Sequence, residues 1–183
     1  MMRLILVAFL LAACAGPPPA RYLLEPLPVE GRVAVRPATI EVRDVRLPDH
    51  AAAPEITVPG PDGALRQAEG ALWGDDPGRA VTLALARDLG RLTTAQAIAE
   101  PWPLADLADM RLDLRVERLV PRPDGTLHFS GQAIVSANGG DFRDVVERFD
   151  IVQPIESPGV PGIAAAHAAA VLALARQIAA RLR

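Results

Sequence analysis

Met110, Leu112, Leu114 and Val116 alternate without a break with Arg111, Asp113, Arg115 and Glu117. Side chains on an extended backbone point to opposite faces at period two, so this stretch specifies a strand with one buried and one wet face. Its neighbours follow from the turns that flank it. Pro123-Asp124-Gly125 reverses the chain into residues 126–136, where Leu127, Phe129, Ala133 and Val135 share a face. Asn138-Gly139 supplies a second hairpin turn, with a return strand expected near residues 143–152. The result is a three-stranded antiparallel meander.

Upstream, Tyr22-Leu23-Leu24 reads as a short strand. Residues 39–47 alternate in part, with Ile40 and Val42 against Glu41 and Arg43; the phase slips at Asp44-Val45 and Pro48 ends the run. Residues 55–58 and 64–72 form an expected hairpin about Pro59-Gly60-Pro61-Asp62-Gly63, and residues 95–99 a further strand. Asp75 or Asp76 followed by Pro77 opens a helix to about Leu92, with Val81, Leu85, Leu89 and Leu92 on one side. An Ala-rich helix over residues 162–182 closes the chain, with Ile163, His167, Val171, Leu174, Ile178 and Leu182 along one stripe. These elements predict an α+β fold: an antiparallel sheet with two main helices packed on one face.

The N-terminal segment stands apart. Arg3 and an apolar run over residues 4–13 have the shape of an export signal, too short for the roughly 20 residues of a membrane span. Leu11-Ala12-Ala13-Cys14 matches the bacterial lipobox, which makes Cys14 the acylated residue and the Ala13-Cys14 bond the cleavage point. The chain then divides into a signal peptide at 1–13, a lipidated Cys with a proline stalk at 14–20, and one domain at 21–183. Pro17-Pro18-Pro19 favours polyproline II at about 3.1 Å per residue, a semi-rigid spacer. Two or three acyl chains hold stably where one does not, at about 0.8 kcal/mol per buried methylene. Ala15, in place of an Asp after the Cys, points to the outer membrane by resemblance to enterobacterial sorting.

Composition narrows the function. The 19 basic residues are all Arg against 22 acids, for a net charge of −3, without the basic block that nucleic acid requires. A single Cys forms neither an internal disulfide nor a cysteine cluster. His50, His128 and His167 are isolated, so neither a metal nor another cofactor is expected. His167 falls on the apolar stripe and reads as a core histidine, whereas His128 alternates outward and reads as solvated. Ser130 lacks a nucleophile elbow, and no phosphate-binding glycine motif is present. Asp75-Asp76, Asp106 with Asp109, and Asp141 with Asp144 flank helix starts and strand ends, where capping outweighs acid–base work. Trp73 and Trp102 each adjoin a turn and serve as a core anchor or a partner contact.

The lipobox Cys14, Tyr22-Leu23-Leu24, Ile40-x-Val42-x-x-Val45-x-Leu47-Pro48 and Leu72-Trp73 ahead of a Leu/Ala/Arg helix occur in an order that resembles the ABC-type transport auxiliary lipoproteins, also called PqiC-like lipoproteins. The chain departs from that pattern at Asp49-His50-Ala51, where an aromatic-Leu pair is usual, and at Gly74-Asp75-Asp76, where a small residue and Glu are usual. The resemblance implies a non-catalytic lipoprotein on the periplasmic side of the outer membrane. Its partners would be a mammalian-cell-entry (MCE) domain protein and inner-membrane transporter components, and it would assemble as a homo-oligomeric ring. Leu47, Pro48 and Trp73 are the candidate partner-interface or core residues. Two other classes compete: a lipoprotein carrying lipid in its own cavity between sheet and helices, and a periplasmic hydrolase built from the scattered His and Asp residues.

Overall fold

A computed structural model describes residues 18–139 and 142–183; residues 1–17, including Ala13 and Cys14 with the proposed signal, lie outside the described residues, as does Asp141. The elements in chain order are β1 (Ala20–Tyr22), β2 (Thr39–Val42), α1 (Asp49–Ala52), β3 (Glu55–Pro59), β4 (Leu65–Trp73), α2 (Pro77–Leu92), β5 (Gln96–Ala99), β6 (Met110–Pro121), β7 (Thr126–Ala137), β8 (Val145–Pro154) and α3 (Gly159–Arg181).

The meander forms as the alternation dictates. β6 pairs antiparallel with β7, and β7 with β8. Gly125 adopts φ 79° in the β6–β7 turn, a left-handed conformation that a Cβ would strain, and the Asp124 carboxylate accepts hydrogen bonds from both the amide and the hydroxyl of Thr126. One irregularity matters for packing. The register of β6 shifts between Val116 and Arg118, so the inward phase passes from Leu114 to Leu119, and Val116 is only half-buried.

The sheet is not the single antiparallel one expected. β2 runs parallel to both β5 and β6, giving a mixed five-stranded sheet in the order β5-β2-β6-β7-β8. A separate three-stranded sheet, β1-β4-β3, pairs β1 parallel to β4 and β3 antiparallel to it. Hairpin turns set direction only between strands adjacent in sequence. β2 and β5 are joined through a long crossover that includes α2, and the apolar alternation of a strand does not encode which way its neighbour runs.

α2 begins where its cap places it: the Asp76 side chain accepts from the Arg79 amide at 2.8 Å and Pro77 occupies the first turn. It ends at Thr93, whose hydroxyl donates to the Leu89 carbonyl at 2.8 Å. α2 lies along β2 and β5, α3 along β7 and β8, and the two helices pack on each other. Buried alanines Ala166, Ala170 and Ala175 let α3 approach closely. Composition alone would allow α3 to cross a membrane, yet 67% of its most apolar window is buried inside the domain. The space between sheet and helices is filled by Ile40, Leu112, Leu127 and Phe129 against Leu85, Val171 and Leu174, all fully buried.

Candidate functional site

The Leu47-Pro48 corner is built on α2. Strand β2 stops at Val42, and the chain continues over the start of the helix so closely that a Cβ on Gly78 would stand 2.6 Å from the Val45 carbonyl oxygen. The Val45 amide donates to the Thr82 hydroxyl at 2.9 Å, and that hydroxyl donates to the Gly78 carbonyl at 2.9 Å. Thr82 therefore pins the corner to the helix, a role its place on the wheel did not announce. Pro48 does not simply end a strand. Its carbonyl accepts from the amides of Ala51 and Ala52 and starts α1, a short helix beyond the two main ones expected. Leu47 and Pro48 are half-buried, with Leu47 packed against the core.

Trp73 is a core residue. It is 5% exposed, and its ring meets that of His167 edge to face with centroids 5.0 Å apart. The His167 Nδ1 is 2.8 Å from the Ile163 carbonyl one turn earlier, which fixes it as the protonated nitrogen donating to that oxygen. Burial holds the His167 pKa down to about 4, against the smaller opposing effect of that carbonyl. Trp102 is half-buried, its indole N–H donating to the Asp106 carbonyl at 2.7 Å.

Beside the corner, β2 diverges from β6 and opens a cleft of about 600 Å³ lined by Arg43, Arg46 and Arg115 with Asp44, Glu100 and Asp113. Arg43 pairs with Glu100 at 3.1 Å, and the same carboxylate accepts from the Asp44 amide. Three cations and three anions leave no net charge. The cleft suits a polar protein surface better than a charged small molecule.

The histidines and acids cluster more than their spacing foretold. His50 and His167 line one cavity with Glu55 and Thr57, but its volume of about 10 Å³ is that of roughly one water and admits no substrate. The expectation for His128 was wrong. It is 5% exposed, because Val120 and Val152 flank it across the strands, Asp150 holds its Nε2 at 2.6 Å and Arg122 contacts its Nδ1. Ser130 shares the adjoining cleft with His128 and Asp150. Both ring nitrogens are already engaged, and no hydrogen bond joins Ser130 to His128 among the described residues, so a nucleophile and its base are not assembled. Of the acidic pairs, Asp76 caps α2, Asp75 pairs with Arg79 at 3.1 Å, Asp109 accepts from the amides of Ala38 and Thr39, and Asp144 from that of Ala137. No group of three His, Cys, Asp or Glu suited to a metal occurs among the described residues.

Two crystal structures share the fold. One, of an uncharacterized protein, superposes with a TM-score of 0.68 at 17% identity, over 84% of this chain and 100% of that one. The other, of a Xanthomonas campestris protein assigned to family DUF330, gives 0.61 at 18% identity, over 88% and 91%. A search among curated proteins finds no significant match. The profile of the family described as ABC-type transport auxiliary lipoprotein component matches residues 22–179, nearly all of the domain. The chain belongs to that family of auxiliary lipoprotein components of ABC-type transport.

Proposed function

We propose that the chain is an outer-membrane lipoprotein that docks an MCE-domain protein and, through it, the inner-membrane components of an ABC-type lipid transporter, without catalysing a reaction itself. The observation that carries this reading is the family match over residues 22–179 on a chain whose Cys14 ends a lipobox after an apolar run. Acyl chains on Cys14 fix the domain to the bilayer, the proline stalk sets its standoff, and the folded part faces the periplasm. Leu47 and Pro48 are our candidates for the partner contact; what supports them is that they are half-buried apolar groups near a cleft of mixed charge, a combination that suits the apolar centre and polar rim of a protein interface. Trp73 is buried and lines a small cavity with His50 and Ala51 of α1, so it acts as a core residue.

The test is capture of the full-length chain by the immobilised MCE-domain protein of its own transport system. Wild-type capture that falls about tenfold in Leu47→Ser, at an unchanged melting temperature, supports the reading. No capture of the wild type contradicts the docking role, and undiminished capture of Leu47→Ser removes the corner from the interface.

A further inference from the structure

β8 ends the five-stranded sheet, and no described strand pairs with its outer side. An open edge presents amides and carbonyls that recruit another strand, and proteins blunt such edges with short length, proline or a bulge. The other described edges are blunted in this way. β1 and β5 have three and four residues, and β3 has five, with a register shift and a terminal proline. β8 instead runs ten residues in unbroken register with β7, and its one proline, Pro154, is the last of them.

That edge is its own complement. The Ile155 amide donates to the Gly125 carbonyl at 2.9 Å, and Pro154, opposite Thr126, has no amide to give. Backbone groups alternate in direction along an antiparallel strand, so the odd-numbered residues of β8 bond β7, and Val146, Arg148, Asp150 and Val152 turn theirs to the open side. The same four carry their side chains on the exposed face. Antiparallel pairing of two such edges about a two-fold axis at Phe149 sets Arg148 opposite Asp150 of the second copy and Val146 opposite Val152, each twice. All four residues then exchange backbone bonds with their opposites, about eight bonds in all. A shift of the axis by one residue sets Arg148 against itself in one direction and Asp150 against itself in the other, and like charges directly opposite repel.

The side chains have capacity for these contacts. Asp150 engages His128 through one carboxylate oxygen, and Arg148 reaches Glu117 through a single nitrogen at 3.4 Å; both side chains are largely exposed. A carboxylate and a guanidinium each accommodate a further partner. Val146 and Val152 are 68% and 52% exposed. Val146 is flanked by Ile134 on β7, so Val152 of one copy with Val146 and Ile134 of the other would form one apolar row across the junction.

We propose that β8 pairs with β8 of a second copy, antiparallel about a two-fold axis at Phe149, joining the two five-stranded sheets into one continuous sheet. A contact of this kind uses the same edge from both copies and closes at two, unlike the head-to-tail contact from which a ring is built.

The experiment is sedimentation equilibrium of the full-length protein in neutral detergent density-matched to the solvent, which reads the protein mass alone. A concentration-dependent dimer is expected. Val152→Pro removes an outward amide and no bond to β7, and should weaken the dimer at least about tenfold at an unchanged melting temperature. Arg148→Asp, an exposed substitution that opposes carboxylates at the junction, should weaken it similarly. Register has its own readout. The double variant Val146→Cys/Val152→Cys should form disulfide-linked dimers on mild oxidation, whereas Val146→Cys alone should not, its two copies standing about 20 Å apart. A monomer at every concentration up to about 100 μM, an assembly that both Val152→Pro and Arg148→Asp leave intact, or cross-linking of the single variant as readily as the double would overturn the pairing.

Discussion

Trp73 and His167 meet edge to face, their ring planes inclined by 63°, and this contact locks the small three-stranded sheet to the long closing helix. Both residues sit in the core, and α1 closes over them through His50. Trp73→Ala is therefore expected to cost about 3–5 kcal/mol in chemical denaturation, the range for deleting a large buried aromatic. A loss below about 1 kcal/mol would place the ring outside the core.

His167 gives the fold a pH dependence. Its pKa is about 4 in the folded domain and 6.5 when unfolded, so the unfolded chain binds the additional proton between those values. Its contribution to stability is complete above pH 6.5 and is lost as pH falls towards 4, by about 3 kcal/mol in all. Denaturation of wild type and His167→Gln at pH 7 and at pH 4 isolates this effect. Wild type should lose more stability over that interval; parallel losses would contradict neutral burial of the imidazole.

Gly131 lies across from the bulge in β6, where a Cβ would stand 2.1 Å from the Arg115 carbonyl oxygen and 3.0 Å from the Phe149 ring. Gly131→Ala is expected to lower stability by about 1–3 kcal/mol, the cost of overpacking a rigid backbone contact. An unchanged denaturation midpoint would mean that the two strands separate there at no cost.

Much of the domain was legible because its signals are local. The alternation at residues 110–117 and the two hairpin turns gave the meander, and Asp76-Pro77 with the Val81, Leu85, Leu89 and Leu92 stripe gave α2 with its observed bounds. What was hidden depends on partners distant in sequence. Glu41 alternates like a surface residue, yet it is buried against Arg111 because β2 is flanked by strands on both sides. The parallel direction of β2 against β5 and β6 had no turn to announce it. His128 was misplaced for the same reason: the valines that cover it come from β6 and β8. The contact of the Thr82 hydroxyl with the Val45 amide is likewise assembled only by the tertiary fold.

Cys14→Ser tests the anchor. Without the thiol there is no thioether, and the signal is not removed at Ala13. The variant should appear as a heavier, unacylated precursor in whole cells by intact mass. A variant of normal mature mass in the detergent-soluble membrane fraction would contradict lipidation at this residue.

Docking to the transporter should be visible in the envelope itself. Cross-linking mass spectrometry on intact cells producing the full-length lipoprotein at its native level measures it most directly. Cross-links are expected between this chain and the MCE-domain protein of its transport system. Abundant cross-links within this chain and within the MCE protein, with none between the two, would contradict it.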